Sequence, residues 1–183
     1  MSKTKFLNTA LHDYKVGAIT PSSRFVVKQI IKKLPRHSCA YIIEYGAGDG
    51  IITKALLEHL PRDGKLIAIE MNPHFIALLK KIRDSRLEVI HGDVLHLCKN
   101  LSDLKLPRID AVISGIPFSF FNSDERHLIA KQTYQKLSEH GRFILYQFSP
   151  LMYPYLNKYF KKKISISLEL RNIPPYLIIV AEK

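Results

Sequence analysis

The stretch EYGAGDG, residues 44–50, decides the fold of this 183-residue chain. It follows the apolar run Ala40–Ile43, which predicts a buried strand, and it precedes residues 51–60, which predict a helix closed by Leu60-Pro61. Glycines at three alternate positions let a ligand approach the backbone where side chains would clash. The stretch differs from the dinucleotide pattern G-x-G-x-x-G, because its third glycine comes one residue early and Ile51 holds the expected place.

Working outward, apolar runs alternate with helical patterns along the whole chain. Further strands are predicted at Leu66–Ile69, Leu87–Ile90, Ile109–Ile113, Arg142–Phe148, 164–170 and 176–181. Further helices are predicted over residues 22–34, from Pro73 to about Ile82 after an Asn72 cap, and to about Leu137 after a Ser123 cap. This alternation predicts an α/β fold, a seven-stranded doubly wound sheet. The link Asn172–Pro175 is too short for a crossover helix, so we expect the last two strands to form an antiparallel C-terminal hairpin.

Composition fits one globular domain, with residues 1–36 as an N-terminal amphipathic helical extension of the same domain and residues 37–183 as its body. Cys39 and Cys98 lie in apolar surroundings and predict buried, reduced thiols in a cytoplasmic protein. The sequence has no run long enough for a membrane span and no signal peptide. The histidine spacing does not suggest a metal site.

The net charge of +12 is concentrated at the two ends of the chain. Residues 1–36 carry eight Lys and Arg against one acid, and residues 151–183 carry six against two, whereas the middle carries fourteen against thirteen. Such an arrangement suits a polyanion met by one face, and both nucleic acid and an anionic membrane remain open. For residues 3–15, a helix lying on a membrane surface and a helix packed on the core are equally compatible with the apolar stripe.

Carboxylates follow three successive predicted strands. Glu44, directly before the glycines, suits a ligand with an ammonium group. Glu70 comes 22 residues after Gly48 and suits ribose hydroxyls, and Asp93 can accept from an adenine amino group. Ammonium, ribose and adenine together describe S-adenosylmethionine.

With these motifs the chain resembles the Rossmann-like class I S-adenosylmethionine-dependent methyltransferases over essentially its whole length. The resemblance rests on E-x-G-x-G-x-G at residues 44–50, on Glu70, and on Gly92-Asp93-Val94. It implies that Glu44 and the glycines line the methionine part, Glu70 the ribose, and Met71 and Asp93 the adenine. The full set of expected cofactor-binding residues is Ser22, Glu44, Gly46, Ala47, Gly48, Gly50, Glu70, Met71, Asp93, Val94 and Ser114.

One relative is the ribosomal RNA adenine dimethyltransferase family, whose fourth motif is N-L-P-Y or N-I-P-Y. Aligning its proline with Pro117 puts Phe118 on the aromatic and Gly115 on the asparagine. The amide that would accept from an adenine amino group is therefore missing. The C-terminal helical domain of those enzymes is missing as well, and both departures weigh against base methylation.

The chain resembles the bacterial phospholipid N-methyltransferase family more closely. The similar segments are VGAITPSSR (residues 16–24), SGIP (residues 114–117), YQFSP (residues 146–150) and NIPP (residues 172–175). The resemblance implies successive methylation of phosphatidylethanolamine at the inner face of the membrane, with the basic N-terminus as anchor.

The residues expected to act on the acceptor surround the fourth strand end, and this catalytic set is Ser114, Gly115, Pro117, Phe118 and Tyr146. Backbone carbonyls near Ser114 would hold the amine, Tyr146 or Asp93 would help to remove its proton, and aromatic faces would stabilise the methylated cation. The expected faces are those of Phe118, Phe120, Phe121, Tyr146 and Tyr153. The sequence thus predicts a monomeric phospholipid N-methyltransferase that needs no metal. An RNA adenine N-methyltransferase is the alternative, and a non-catalytic S-adenosylmethionine-binding module is the third reading.

Overall fold

The computed structural model describes residues 23–35, 39–161, 163–172 and 174–183. Their strands form one seven-stranded sheet with the order β3-β2-β1-β4-β5-β7-β6. The strands are β1 (Tyr41–Tyr45), β2 (Lys65–Glu70), β3 (Leu87–His91), β4 (Ala111–Ser114), β5 (Arg142–Gln147), β6 (Ile164–Glu169) and β7 (Tyr176–Glu182). Each lies within one or two residues of its predicted position.

Strand direction determines which residues share an edge of the sheet. Strands β1 to β5 are parallel, β7 is antiparallel to β5, and β6 is antiparallel to β7. The predicted antiparallel C-terminal hairpin is therefore confirmed. Because two antiparallel steps restore the direction, β6 ends at the same edge as β1 to β5, which we call the carboxyl edge.

Helices cover both faces of the sheet, as predicted for a doubly wound fold. The helices are α1 (Arg24–Lys33), α2 (Ile51–His59), α3 (Pro73–Leu79), α4 (Val94–Lys99), α5 (Ser123–Lys136) and α6 (Tyr153–Phe160). Buried side chains of α1 and α2 join one apolar cluster with Ile42 and Ile113, whereas those of α4, α5 and α6 join another with Ile43 and Val112. This alternation along β1 and β4 places two separate cores on the two faces of the sheet. The predicted buried thiols Cys39 and Cys98 are buried and free.

Two helix predictions need correction, and two helices were missed. The cap of α5 is Asn122 and not Ser123, because the Asn122 side chain accepts from the Glu125 backbone N–H while the Glu125 side chain accepts from Asn122. Helix α3 ends at Leu79, three residues before the predicted Ile82. Helices α4 and α6 were not predicted at all. Of the predicted N-terminal extension, the part that is described is α1 and its flanks, and residues 1–22, including the amphipathic segment 3–15, lie outside the described residues.

Candidate functional site

The carboxyl edge of the sheet brings the predicted cofactor residues together. The glycine turn follows β1, Met71 follows β2, Asp93 lies beyond β3, and Ser114 ends β4. Neighbouring parallel strands end side by side, so residues far apart in sequence meet at this edge. Of the expected set, Ser22 lies outside the described residues.

Glu44 is fully buried on the face of β1 that packs against α2. Its Oε2 accepts a hydrogen bond of 2.7 Å from the Thr53 hydroxyl, whereas its Oε1 has no partner among the described residues. Burial raises the pKa of Glu44 to about 8; the Thr53 hydrogen bond opposes the rise, and the charges of Glu70 and Asp49 add to it. A buried carboxyl with an unpartnered oxygen and two acidic neighbours fits a cationic ligand.

The glycine turn has a left-handed backbone at each of its glycines, with φ of +75° at Gly46, +54° at Gly48 and +82° at Gly50. A Cβ at Gly46 would lie 2.6 Å from Cγ2 of Ile116, so the first glycine lets the turn pack against the loop after β4. A Cβ at Gly48 would have no atom within 4 Å. The second glycine thus faces open space, and a ligand can reach the backbone there.

Glu70 holds the turn and the start of α3 through its carboxylate. Its Oε2 accepts from the Gly48 N–H at 2.9 Å, and its Oε1 accepts from the backbone N–H groups of Met71 and Asn72 at 2.9 and 2.8 Å. A carboxylate can accept about four hydrogen bonds, so Glu70 retains capacity for a hydroxyl group on Oε2.

Asp93 is the N-cap of α4, where its Oδ1 accepts from the Leu95 N–H at 2.9 Å. Its neighbour Val94 is buried in the core. Capping engages one oxygen of Asp93, so the other is the one available to a ligand amino group.

The ring of Tyr146 packs over Gly115 and leaves no room there for a side chain. A Cβ on Gly115 would collide with the hydroxyl and the ring of Tyr146, which is the next residue of β5 beyond the paired Ser114 and Leu145. The hydroxyl of Ser114 is buried and has no hydrogen-bond partner among the described residues. A buried hydroxyl without a partner among the described residues therefore lies beside a backbone covered by a phenol ring, at the end of a strand that pairs with β1.

The predicted aromatic residues differ in burial: Phe118 and Tyr146 are buried, Phe121 is half-buried, and the other two are exposed. Phe118 begins the Phe118–Phe120 turn, and its side chain is buried in the core. The centres of the Phe118 and Phe121 rings are 5.8 Å apart. Phe120 and Tyr153 are exposed. Tyr146 makes an edge contact with Tyr176, which stacks at 4.3 Å on the exposed Phe148.

Several residues of the site could not be identified from motifs. Thr53 carries a signal only in retrospect, as the one hydroxyl side chain of α2, nine residues after Glu44. Arg126 donates to the Phe118 carbonyl at 3.0 Å and to the Tyr155 hydroxyl at 3.4 Å, and so fixes the aromatic turn. Hydrogen bonds from Ser123 and Arg126 lower the pKa of Tyr155.

Two searches for other sites and spans were limited to the described ranges. Within them, no group of three or more His, Cys, Asp or Glu side chains is arranged to hold a metal ion. No helix there is both long enough and apolar enough to cross a bilayer.

Comparison with known proteins identifies the family. A model of the family described as "Ribosomal RNA adenine dimethylase" matches residues 21–144. An ornithine lipid N-methyltransferase from Singulisphaera acidiphila is 27% identical over 166 residues, which cover 90% of this chain and 86% of that protein. A ribosomal RNA small subunit methyltransferase from Arabidopsis thaliana is 33% identical over 98 residues, but these cover 51% of this chain and only 25% of the relative.

Among solved structures, a precorrin-6y C5,15-methyltransferase from Geobacter metallireducens superimposes with a TM-score of 0.71 at 17% identity, over 91% of this chain and 92% of that one. This likeness confirms the Rossmann-like fold of the methyltransferases. The family match covers well over half of the chain. The chain therefore belongs to the ribosomal RNA adenine dimethylase family and is an S-adenosylmethionine-dependent methyltransferase.

Proposed function

We propose that this enzyme methylates the amine of a membrane-lipid headgroup, that of phosphatidylethanolamine and its methylated products first, as a monomer at the inner face of the membrane. The observation that carries the proposal is the position of Tyr146 over Gly115. The similarity to a lipid N-methyltransferase along 90% of the chain supports it.

Base methylation at this strand end would need an acceptor for the amino group of adenine. Gly115 has no side chain to provide one, and the Tyr146 ring occupies the volume into which an asparagine at position 115 would extend. The site is therefore closed to an amide by packing as well as by sequence. An aliphatic amine needs no such amide, because a single hydroxyl or carbonyl can hold its N–H.

The cofactor side of the site follows from the carboxylates and the open glycine. We propose that Glu44 binds the cofactor's ammonium group through its unpartnered Oε1, that Glu70 binds the ribose, and that Met71 and Asp93 contact the adenine. Gly48 gives the cofactor access to the backbone. When bound, S-adenosylmethionine supplies an electrophilic methyl group.

The acceptor side has to hold an amine and let it lose a proton. We assign the first role to the buried Ser114 hydroxyl, which can accept from an amine N–H. We assign the second role, relaying the proton, to the hydroxyl of Tyr146, which lies beside Gly115. Each methyl transferred makes a bulkier cation, which aromatic faces stabilise by about 0.5–2 kcal/mol.

Methyl transfer with a radiolabelled cofactor tests the proposal directly. The acceptors are phosphatidylethanolamine and ornithine lipid, each in mixed micelles, and ribosomal RNA in a parallel reaction. We expect label in a lipid fraction and none in RNA. Label in RNA alone would overturn the lipid assignment and favour the activity for which the matched family is described.

A matched pair of variants links that activity to the site. Glu44→Ala should abolish cofactor binding, measured by calorimetry, and with it all transfer. Glu58→Ala changes an exposed glutamate on α2 and should leave both unchanged. Unchanged affinity in Glu44→Ala would refute the placement of the ammonium group.

A further inference from the structure

The C-terminal hairpin carries an exposed apolar stripe for which neither the fold nor the cofactor site accounts. Ile166, Leu168 and Leu170 alternate along β6 and its end, so their side chains share one face of the strand. Ile164, the first residue of this series, packs against the core beside α6, but the next three are 46%, 54% and 67% exposed. A stripe of large apolar side chains exposed on the outermost strand of a sheet indicates a contact surface.

The stripe leads to the edge where the acceptor has to enter. Because β6 runs parallel to β1–β5, Leu170 lies at the carboxyl edge, and exposure along the stripe increases in that direction. The other large apolar side chains that are exposed among the described residues are Phe120, Phe148 and Tyr153. These three follow the ends of β4 and β5, and so they lie at the same edge.

Two arginines lie beside the end of the stripe at the carboxyl edge, on the α1 side of the sheet. Arg171, directly after Leu170, stacks on the ring of Phe25 at 4.3 Å, and Arg24 lies over the same ring at 5.0 Å. The one acid on β6, Glu169, is buried and paired with Arg171 at 2.6 Å, so this pair is neutral and leaves Arg24 as an exposed cation at this end of the stripe.

The described part of the chain begins at this same place. The Ser23 N–H donates to the Asn172 side chain at 3.3 Å, which holds the start of the described chain beside the end of the stripe. Arg24, in the first turn of α1, and the apolar stripe therefore meet at the edge that holds the site.

From this convergence we propose that the stripe of Ile166, Leu168 and Leu170 is the surface by which the enzyme docks on an anionic lipid bilayer. This inference rests on the proposed lipid acceptor. The apolar side chains enter the interfacial layer, Arg24 meets anionic headgroups, and the carboxyl edge faces the membrane with its site open to a headgroup amine. A second copy of the chain is the competing occupant, but the net charge of +12 makes two copies repel each other, whereas it attracts an anionic bilayer.

Vesicle flotation of the full-length protein tests the docking surface. The triple variant Ile166→Ser, Leu168→Ser, Leu170→Ser should lose about tenfold or more of its affinity for vesicles of phosphatidylglycerol and phosphatidylcholine. The matched triple variant with methionine at the same positions keeps the apolar surface and should bind as the unchanged protein does. Circular dichroism and urea unfolding establish that both variants are folded.

Three results would overturn the inference. The serine variant would float as well as the unchanged protein, or both would bind neutral vesicles as well as anionic ones. Alternatively, light scattering would find a dimer that the serine variant converts to a monomer, which would make the stripe an interface between copies.

An acceptor assay separates this inference from the proposed function. A short-chain, water-soluble phosphatidylethanolamine should be methylated equally by the serine and methionine variants, whereas the serine variant should be slower on vesicles. If neither lipid is methylated but vesicle binding still depends on the stripe, the proposed acceptor is wrong and the docking surface stands.

Discussion

Replacing Glu44 by glutamine removes the one buried acid whose ionisation the fold opposes most clearly. The side chain is fully buried, and burial raises its pKa from 4.5 to about 8. At about 1.4 kcal/mol for each tenfold change, the rise corresponds to about 5 kcal/mol of destabilisation when the group is fully ionised. Glutamine has the same shape and cannot ionise.

The pH dependence of this destabilisation follows from proton linkage. Between pH 4.5 and about 8 the folded protein binds one proton more than the unfolded chain at this position, so the free energy of unfolding falls as pH rises through that range. Below pH 4.5 Glu44 is protonated in both states and does not destabilise the fold. Above about pH 8 it is ionised in both states, and the full destabilisation applies. The difference in unfolding free energy between Glu44→Gln and the unchanged protein should therefore grow by several kcal/mol in favour of glutamine from pH 5 to pH 9.

Urea unfolding without cofactor at pH 5, 7 and 9 measures this difference. Groups that titrate identically in both proteins cancel, and Glu58→Gln on the same helix gives the baseline for an exposed carboxyl. A difference that stays within about 1 kcal/mol from pH 5 to pH 9 would refute the reasoning.

The same proton should be released when the cofactor binds. A cationic group next to Glu44 favours the ionised form, so binding of S-adenosylhomocysteine at pH 7 should release about one proton. Calorimetry in two buffers of different ionisation enthalpy measures this number. In Glu44→Gln the release should vanish.

The remaining predictions concern the packing of the two loops and the partner of Glu44. Gly115→Asn should destabilise the protein by about 2–3 kcal/mol in urea unfolding, and adding Tyr146→Ala should recover part of the loss, whereas simple additivity would contradict the contact. Gly48→Ala should cost about 1–2 kcal/mol of stability for its backbone but weaken cofactor binding at least about tenfold. Gly46→Ala should cost more stability than Gly48→Ala because its Cβ also meets Ile116, and equal unfolding midpoints would exclude this. Thr53→Val removes the hydrogen bond that opposes the rise, so the pKa of Glu44 should increase above about 8 and the pH dependence of cofactor affinity should move upward with it; an unchanged profile in calorimetry would contradict the contact.

Much of the fold was predictable because strand ends and glycines are local signals. The short link before β7 required an antiparallel hairpin, and the hairpin is there. Helix α6 was missed because Pro150 and Pro154 look like helix breakers. Pro150 begins the short 3-10 turn that precedes α6, and Pro154 lies in the first turn of α6 itself, and at both places the missing N–H costs nothing. The Asn122 cap was recognisable from the glutamate three residues later, but the adjacent Ser123 competes for the same role.

The site was only partly predictable, for a different physical reason. Glu44, Glu70 and Asp93 could be found because each lies at or near the end of a strand, and parallel strands end together. The contact between Gly115 and Tyr146 depends on the pairing of β4 with β5, which no local pattern specifies. The glycine was therefore recognised as a missing amide, but the ring that fills its place could not be foreseen.

The packing of Tyr146 on Gly115 also bears on how such enzymes diverge. An asparagine at position 115 would clash with the ring of Tyr146. A smaller residue at position 146 would leave a cavity beside Gly115. Either single change gives a less stable protein, so a lineage crosses between the two forms only from a reserve of stability gained elsewhere. The acceptor preference of a descendant is then inherited through a pair of coupled positions, and gene duplication, which relaxes selection on one copy, provides a natural occasion for both to change.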